Sequence, residues 1–294
     1  MFARVSIPES WGWIWIFLID LMNYKRILTV QDISCLGQCS LTVALPILSA
    51  CGQETVILPS AVLSSHTGGF GKPNVRDLTG DFPGIMEHWK QVGVDFDTIL
   101  TGYLGDIREI ELVKEIFDSM TAPGGKRVVD PAMADHGKLY SGFNAAYAAA
   151  MKGLCDLADV VMPNITEAAM MAGLPYQEEY NDTYIEKLLA GQKAPCVVLT
   201  GVSYRPDETG VVVADHGTIR YHSHKKVPRS YHGTGDIFAS AFVGAWSSGK
   251  DLFDAAVIAS EFTRLCIEET YANPAHWYGV KFEPCLGKLI DMLK

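Results

Sequence analysis

The chain is short of the residues that nucleic-acid and membrane proteins depend on. Its 24 Lys and Arg are outnumbered by 34 Asp and Glu, for a net charge of −10. Binding a phosphate backbone needs clustered basic residues, so a nucleic-acid partner is not expected. No apolar run approaches the about 20 residues that a membrane-spanning helix requires. The most apolar stretch, residues 11–21, is interrupted by Asp20 and has neither the basic start nor the small-residue cleavage site of a signal peptide. Seven cysteines at irregular spacing cannot make a complete disulfide framework, which points to a reduced, cytoplasmic setting. Cys35 and Cys39 form a lone C-x3-C without a second ligand pair, so a zinc site is not expected there. There is no H-E-x-x-H, no G-x-S-x-G and no G-x-x-x-x-G-K-[ST], which removes metalloprotease, acyl-transfer and P-loop chemistry from the leading possibilities.

Hydrophobic residues make up 48% and charged residues 20%, enough apolar material for one substantial core. No repeat, linker or low-complexity segment divides the chain, and residues 22–294 read as one domain. Residues 1–21 read as an N-terminal extension outside that fold. From Arg26 on, short β-branched runs at 27–30, 55–58, 98–101, 127–129, 160–162 and 196–199 alternate with helical patterns. Residues 107–120 carry Ile107, Ile110, Val113, Ile116 and Phe117 on one face. Residues 41–51 read as a helix that Pro46 should kink. Residues 210–214 and 218–222 read as a hairpin, followed by helices at 235–248, 251–268 and 286–294. This alternation implies a mainly parallel sheet with helices on both faces.

Such sheets gather ligands at the carboxyl ends of their strands. Asp130-Pro131, Pro163-Asn164-x-x-Glu167 and Thr200-Gly201 each directly follow a predicted strand, so they should share one edge. Near the C-terminus, Gly233-Thr234-Gly235-Asp236 leads into an apolar helical run. Glycines that aim amide N–H groups at a helix start make an anion site. A carboxylate beside that anion serves better as a base for an attacking hydroxyl than as a binding group. Read singly, Asp130 and Glu167 are better explained as helix caps, whereas beside the glycine turn they suit a hard cation such as Mg²⁺. Residues 65–71, Ser-His-Thr-Gly-Gly-Phe-Gly, read as a mobile or substrate-contacting loop, with His66 more at home as a structural residue. Tyr103 is suited either to stacking on a flat ring or to the core.

These motifs resemble those of pyridoxal kinases, in the ribokinase-like superfamily. The turn Gly233–Asp236 is similar to the superfamily signature. His66-Thr67-Gly68, Thr101-Gly102-Tyr103, Asp130-Pro131 with Gly137-x-Leu139-Tyr140, and Met162-Pro163-Asn164-x-x-Glu167 add to it in order and spacing, from about Arg26 to the C-terminus. The resemblance implies a ribokinase-like three-layer α/β/α sandwich and ATP-dependent phosphorylation of the 5′-hydroxymethyl of a vitamin B6 vitamer. It implies Asp236 as base and the amides of Gly233, Thr234 and Gly235 around the transferring phosphoryl. Asp130 and Glu167 would hold Mg²⁺. With Asn164 they would position the phosphates, and Thr200 would lie along the nucleotide tail. Asp32, Thr67 and Tyr103 would contact the pyridine ring. A homodimer is the usual assembly of the family. Asp32 stands where many members have Ser, which points to a preference for the cationic amine of pyridoxamine. Met162 stands where the family commonly has a Thr that helps hold K⁺, which leaves potassium activation open. The competing readings are a kinase of the same fold acting on hydroxymethylpyrimidine or another small alcohol, and a non-catalytic vitamer-binding protein.

Overall fold

A computed structural model describes residues 24–294. The expected N-terminal extension, residues 1–21, lies outside the described residues. Six strands run parallel: β1 (Arg26–Ser34), β2 (Glu54–Leu63), β4 (Phe96–Thr101), β5 (Thr121–Val129), β8 (Val160–Val161) and β9 (Cys196–Val202). Antiparallel strands close both edges: β3 (Val75–Asp77) pairs with β2, and the hairpin β10 (Glu208–Asp215)–β11 (Thr218–Lys225) extends β9. The nine-stranded order is β11-β10-β9-β8-β5-β4-β1-β2-β3. A separate two-stranded ribbon, β6 (Ala134–Asp135) with β7 (Lys138–Leu139), rises from the loop after β5. From β1 the chain first builds outward through β2 and β3, then returns to place β4 on the other side of β1. That reversal is a topological switch point, where strand-end loops diverge and leave a crevice.

Strands β1, β4, β8 and β9 are largely buried on both faces, which is why they read as β-branched runs, whereas β2 is mostly half-buried and β5 is buried only at Val128 and Val129. On one face Leu28, Val30, Ile99 and Val129 pack against helices α2 (Phe82–Gln91), α3 (Ile107–Met120), α4 (Ala145–Cys155), α5 (Ile165–Ala172) and α6 (Asp182–Ala190). On the other, Ile27, Leu100, Val128 and Val198 pack against α1 (Leu41–Ala50), α7 (Thr234–Ser247), α8 (Leu252–Tyr271) and α9 (Leu286–Leu293). The three-layer α/β/α sandwich is as expected. Helix α1 continues through Pro46 rather than ending there. Its face Val43, Ala44, Ile47 and Leu48 is fully buried, and tertiary packing holds the helix across the one donor that proline lacks. Helices α2, α4, α5 and α6 and the ribbon were not legible as periodic runs, because they are short or buried around much of their circumference.

Helix α7 approaches α1 closely. A Cβ on Gly244 would collide with the Cys51 side chain. Ser248 Oγ donates 3.2 Å to the Cys51 carbonyl, tying the end of α7 to the end of α1. This contact fixes the depth at which the opposite, N-terminal end of α7 meets the sheet edge.

Candidate active site

The edge formed by the carboxyl ends of the parallel strands gathers the residues singled out in the sequence. The strand order brings Thr200 on β9, Asn164 after β8, Asp130 after β5, Tyr103 after β4 and Asp32 on β1 into one row. Four strand spacings of ~4.8 Å make that row about 19 Å long. This is room for two ligands end to end, with Asp130 in the middle.

Over the middle of the row sits the start of α7. Gly233 occupies the N-cap position with φ of 82°. A Cβ there would both resist this backbone and run into the Gln38 carbonyl, so glycine is required. Asp236 lies in the first helical turn, as expected, and the Ser40 N–H donates to its Oδ2 at 2.9 Å. Burial pushes the Asp236 carboxyl up to about 6 against that hydrogen bond, and the charge of Asp32 adds to the rise. Thr234 Oγ1 reaches the Tyr231 carbonyl at 3.4 Å, and Gly235 is exposed. A Cβ on Gly235 would lie 3.8 Å from Asp130 Oδ2, so Asp130 faces the amide-rich helix start.

Asp130 does not cap a helix. The chain after it turns instead into the β6–β7 ribbon, and its Oδ1 accepts the Ala132 N–H at 3.2 Å. Its pKa is raised well above the ordinary carboxylate value by burial, by the charge of Glu167 and by that of Asp236. With Glu167 and Asp236 both close enough to raise it, Asp130 sits where three carboxylates converge.

Glu167 is buried and held by backbone. Its Oε1 accepts the Met133 N–H at 2.8 Å and the Ala134 N–H at 3.3 Å, and its Oε2 accepts the Asn164 N–H at 2.9 Å. Asn164 Oδ1 accepts the Glu167 N–H at 3.0 Å, completing a capping box at the start of α5. Asn164 Nδ2 donates to the Ala134 carbonyl at 2.8 Å. The capping alternative therefore holds for Glu167, which also clamps the loop carrying Asp130 onto α5. Burial lifts its carboxyl to about 7 against those three N–H bonds. Thr200 bridges to Asn164, its N–H donating 2.9 Å to the Pro163 carbonyl.

At the other end of the row, Asp32 is 6% exposed and its Oδ2 accepts the Ser34 hydroxyl at 3.0 Å. Tyr103 is partly buried and stacks on Phe143, with ring centroids 5.5 Å apart. Burial and then the charge of Asp32 raise the Tyr103 phenol. Thr67 is exposed on the loop beside His66. That loop is anchored where the sequence suggested mobility: the His66 N–H donates to the Leu36 carbonyl at 2.7 Å, and Phe70 packs on Trp277 at 4.8 Å. His66 Nδ1 accepts the Gly68 N–H at 3.1 Å, the structural use expected of it. Its ring also lies 4.9 Å from that of His232. His232 was not singled out beforehand, although its place immediately before Gly233 is a signal. The Ser40 amide that orients Asp236 carries no sequence signal, because any residue offers an N–H.

The comparisons with known proteins concern this same region. Residues 85–280, well over half of the chain, match the model of the phosphomethylpyrimidine kinase family. The chain belongs to that family. It is 25% identical over 246 residues to a pyridoxine/pyridoxal/pyridoxamine kinase of Bordetella pertussis, covering 78% of this chain and 84% of the relative. The crystal structure of pyridoxal kinase from Lactobacillus plantarum superimposes with a TM-score of 0.84 at 33% identity, over 91% of this chain and 97% of that one. A Bacteroides thetaiotaomicron protein, provisionally described as a phosphomethylpyrimidine kinase and crystallised in an orthorhombic form with pyridoxal, superimposes with a TM-score of 0.81 at 33% identity over 90% and 96%. The protein is thus a kinase of the pyridoxal and phosphomethylpyrimidine kinase group, with the ribokinase-like fold.

Proposed function

We propose that the protein phosphorylates the 5′-hydroxymethyl group of a vitamin B6 vitamer, with ATP as donor and Asp236 as the general base. The observation that carries this reading is the placement of Asp236. It sits in the first turn of a glycine-started helix, at the midpoint of a ligand-binding edge, with Asp130 facing the same turn. A base poised near pH 6 takes a proton from an alcohol while the amides of Gly233, Thr234 and Gly235 stabilise the charge on the phosphoryl group. The nucleotide lies along Asn164 and Thr200, and the acceptor ring lies between Asp32, Thr67 and Tyr103. Both substrates then end at Asp130 and Asp236, in line with a reaction that is mostly positioning.

Mg²⁺ fits the donor set. A hard cation takes oxygen ligands and keeps several waters. Asp130 supplies a carboxylate in a negative spot that a divalent cation would neutralise. Glu167, its oxygens already accepting backbone N–H groups, acts behind Asp130 by fixing the loop that carries it. When bound, the metal supplies charge neutralisation for the phosphates. The buried Met162 offers no side-chain oxygen for K⁺, and comparing rates with and without K⁺ tests whether that matters.

The family description also supports a hydroxymethylpyrimidine kinase. Asp32 favours the B6 reading, since its carboxylate would attract the cationic aliphatic amine of pyridoxamine, whereas the ring amine of the pyrimidine is uncharged; Tyr103 suits either ring and argues only against a sugar. Purified protein, ATP and Mg²⁺ with pyridoxal, pyridoxamine, pyridoxine and hydroxymethylpyrimidine side by side make the test. Turnover of B6 vitamers well above the pyrimidine is expected. Turnover of the pyrimidine alone overturns the substrate, and none on any of the four overturns the B6 reading in favour of another small alcohol or a non-catalytic role. The homodimer belongs to the same proposal and is checked by sedimentation.

A further inference from the structure

At the opposite edge of the sheet, three side chains of metal-binding chemistry meet. We propose that Cys196 Sγ, Asp215 Oδ1 and His216 Nδ1 form a site for a borderline-soft divalent cation, Zn²⁺ foremost, with a fourth position open to water. The site stands apart from the kinase chemistry. Cys196 opens β9, four residues before Thr200, which places it about 13 Å along the strand from the candidate active edge.

The register creates the meeting. Cys196 on β9 is the cross-strand partner of Asp215, the last residue of β10, so their side chains share one face. His216 follows in the tight turn to β11. Cys196 Sγ lies 3.3 Å from Asp215 Oδ1 and 3.8 Å from His216 Nδ1, while Nδ1 and Oδ1 are 2.6 Å apart. Tetrahedral zinc with bonds of about 2.3 Å to sulfur and 2.0–2.1 Å to nitrogen and oxygen needs ligand atoms roughly 3.3–3.6 Å apart. The two sulfur edges, at 3.3 and 3.8 Å, each come within about 0.3 Å of this. The nitrogen–oxygen edge opens by less than an ångström when the hydrogen bond that now spans it is exchanged for metal bonds.

The backbone of His216 explains how its ring is placed. It has φ of 46° and is followed by Gly217 at 88°, the two positive values of a type I′ hairpin turn. Asn, Asp and Gly are the residues such a position favours. Histidine is among the non-glycine residues that tolerate this backbone, and the turn sets its imidazole beside Cys196 and Asp215. The His216 N–H donates 3.2 Å to the Pro195 carbonyl, anchoring the turn to β9. Cys196 is 4% exposed and the His216 side chain 75%, so the thiol is sheltered while the entry side is open. Arg220, whose charge is felt at Asp215, reaches to Asp251 at 3.6 Å. Thiolate with imidazole selects Zn²⁺ over Mg²⁺ or Ca²⁺. Binding releases the thiol proton to water as the sulfur–metal bond forms.

The test is metal binding by the full chain, which does not depend on the kinase reading. Chelator-stripped protein is dialysed against Zn²⁺ and the bound metal counted. One zinc per chain is expected, with affinity reduced roughly tenfold or more in Cys196→Ser and in His216→Asn. His216→Asn suits the turn and should fold normally. Co²⁺ should give a thiolate-to-metal charge-transfer band that Cys196→Ser abolishes. Asp130→Asn, at the other edge, should leave zinc binding unchanged. Absence of bound zinc, unchanged affinity in both site variants, or loss in Asp130→Asn overturns the proposal.

Discussion

Replacing Asp236 with Asn should make the protein more stable and nearly inactive. The Asp236 carboxyl is raised from 3.8 to about 6, because burial and then the neighbouring Asp32 outweigh its bond from the Ser40 N–H. A carboxyl that holds its proton more tightly in the folded state than in the unfolded one favours folding only when protonated. Stability is therefore lost as pH rises from about 4 to about 6, and the loss stays constant above that. Two pKa units correspond to at most about 3 kcal/mol. Asp236 is only partly buried, and an amide must still accept from Ser40, so about 1–2 kcal/mol is expected. In a chain of this size that raises Tm by a few degrees, roughly 2–4 °C per kcal/mol. Catalysis moves the other way: loss of a general base costs about 10²–10⁴-fold in kcat. Thermal melts of both proteins from pH 4 to 8 and steady-state rates on the best B6 vitamer check both halves. In the parent, kcat/KM should fall below about pH 6 as Asp236 takes up its proton. An Asp236→Asn variant that melts lower than the parent at pH 7, or that keeps a kcat within tenfold of it, would refute the reasoning.

The remaining predictions concern neighbouring parts of the same site. Asp32→Ser should lower the ratio of pyridoxamine to pyridoxal kcat/KM by roughly tenfold, about 1.4 kcal/mol, and an unchanged ratio in competition assays would remove Asp32 from vitamer selection. Glu167→Gln should destabilise by about 1–3 kcal/mol in chemical denaturation, since one side of the amide turns N–H groups toward N–H donors; the melt should shift in the sense opposite to that of the Asp236 variant. Gly233→Ala should cost about 1–3 kcal/mol and most of the activity, because the added Cβ meets both a positive φ and the Gln38 carbonyl. Normal turnover in that variant would show that the turn tolerates a different path.

How far the sequence could be read depends on the range over which each feature is determined. The central strands were legible because burial on both faces leaves β-branched runs, while β2 and β5 extend beyond the runs 55–58 and 127–129 into less buried residues; α3 was legible because one face alternates with solvent. The turn Gly233–Asp236 was legible because backbone bending, helix start and carboxylate are encoded within four residues. Shared location at one edge also followed locally, since Asp130, Asn164 and Thr200 each come directly after a strand. The order along that edge did not follow. It depends on β1 lying between β4 and β2, a choice made by long-range pairing, which places Asp32 and Tyr103 on one side of Asp130 and Thr200 on the other. The same is true of Glu167: the sequence offered it as a helix cap, but only the folded loop shows its other oxygen holding Met133 and Ala134. Cys196 and His216 are twenty residues apart in the chain and meet only through the β9–β10 register. Short-range steric and hydrogen-bonding preferences thus chose the elements and the catalytic turn. Strand order and register, set by how the two helical layers bury the sheet, decided which side chains share a site.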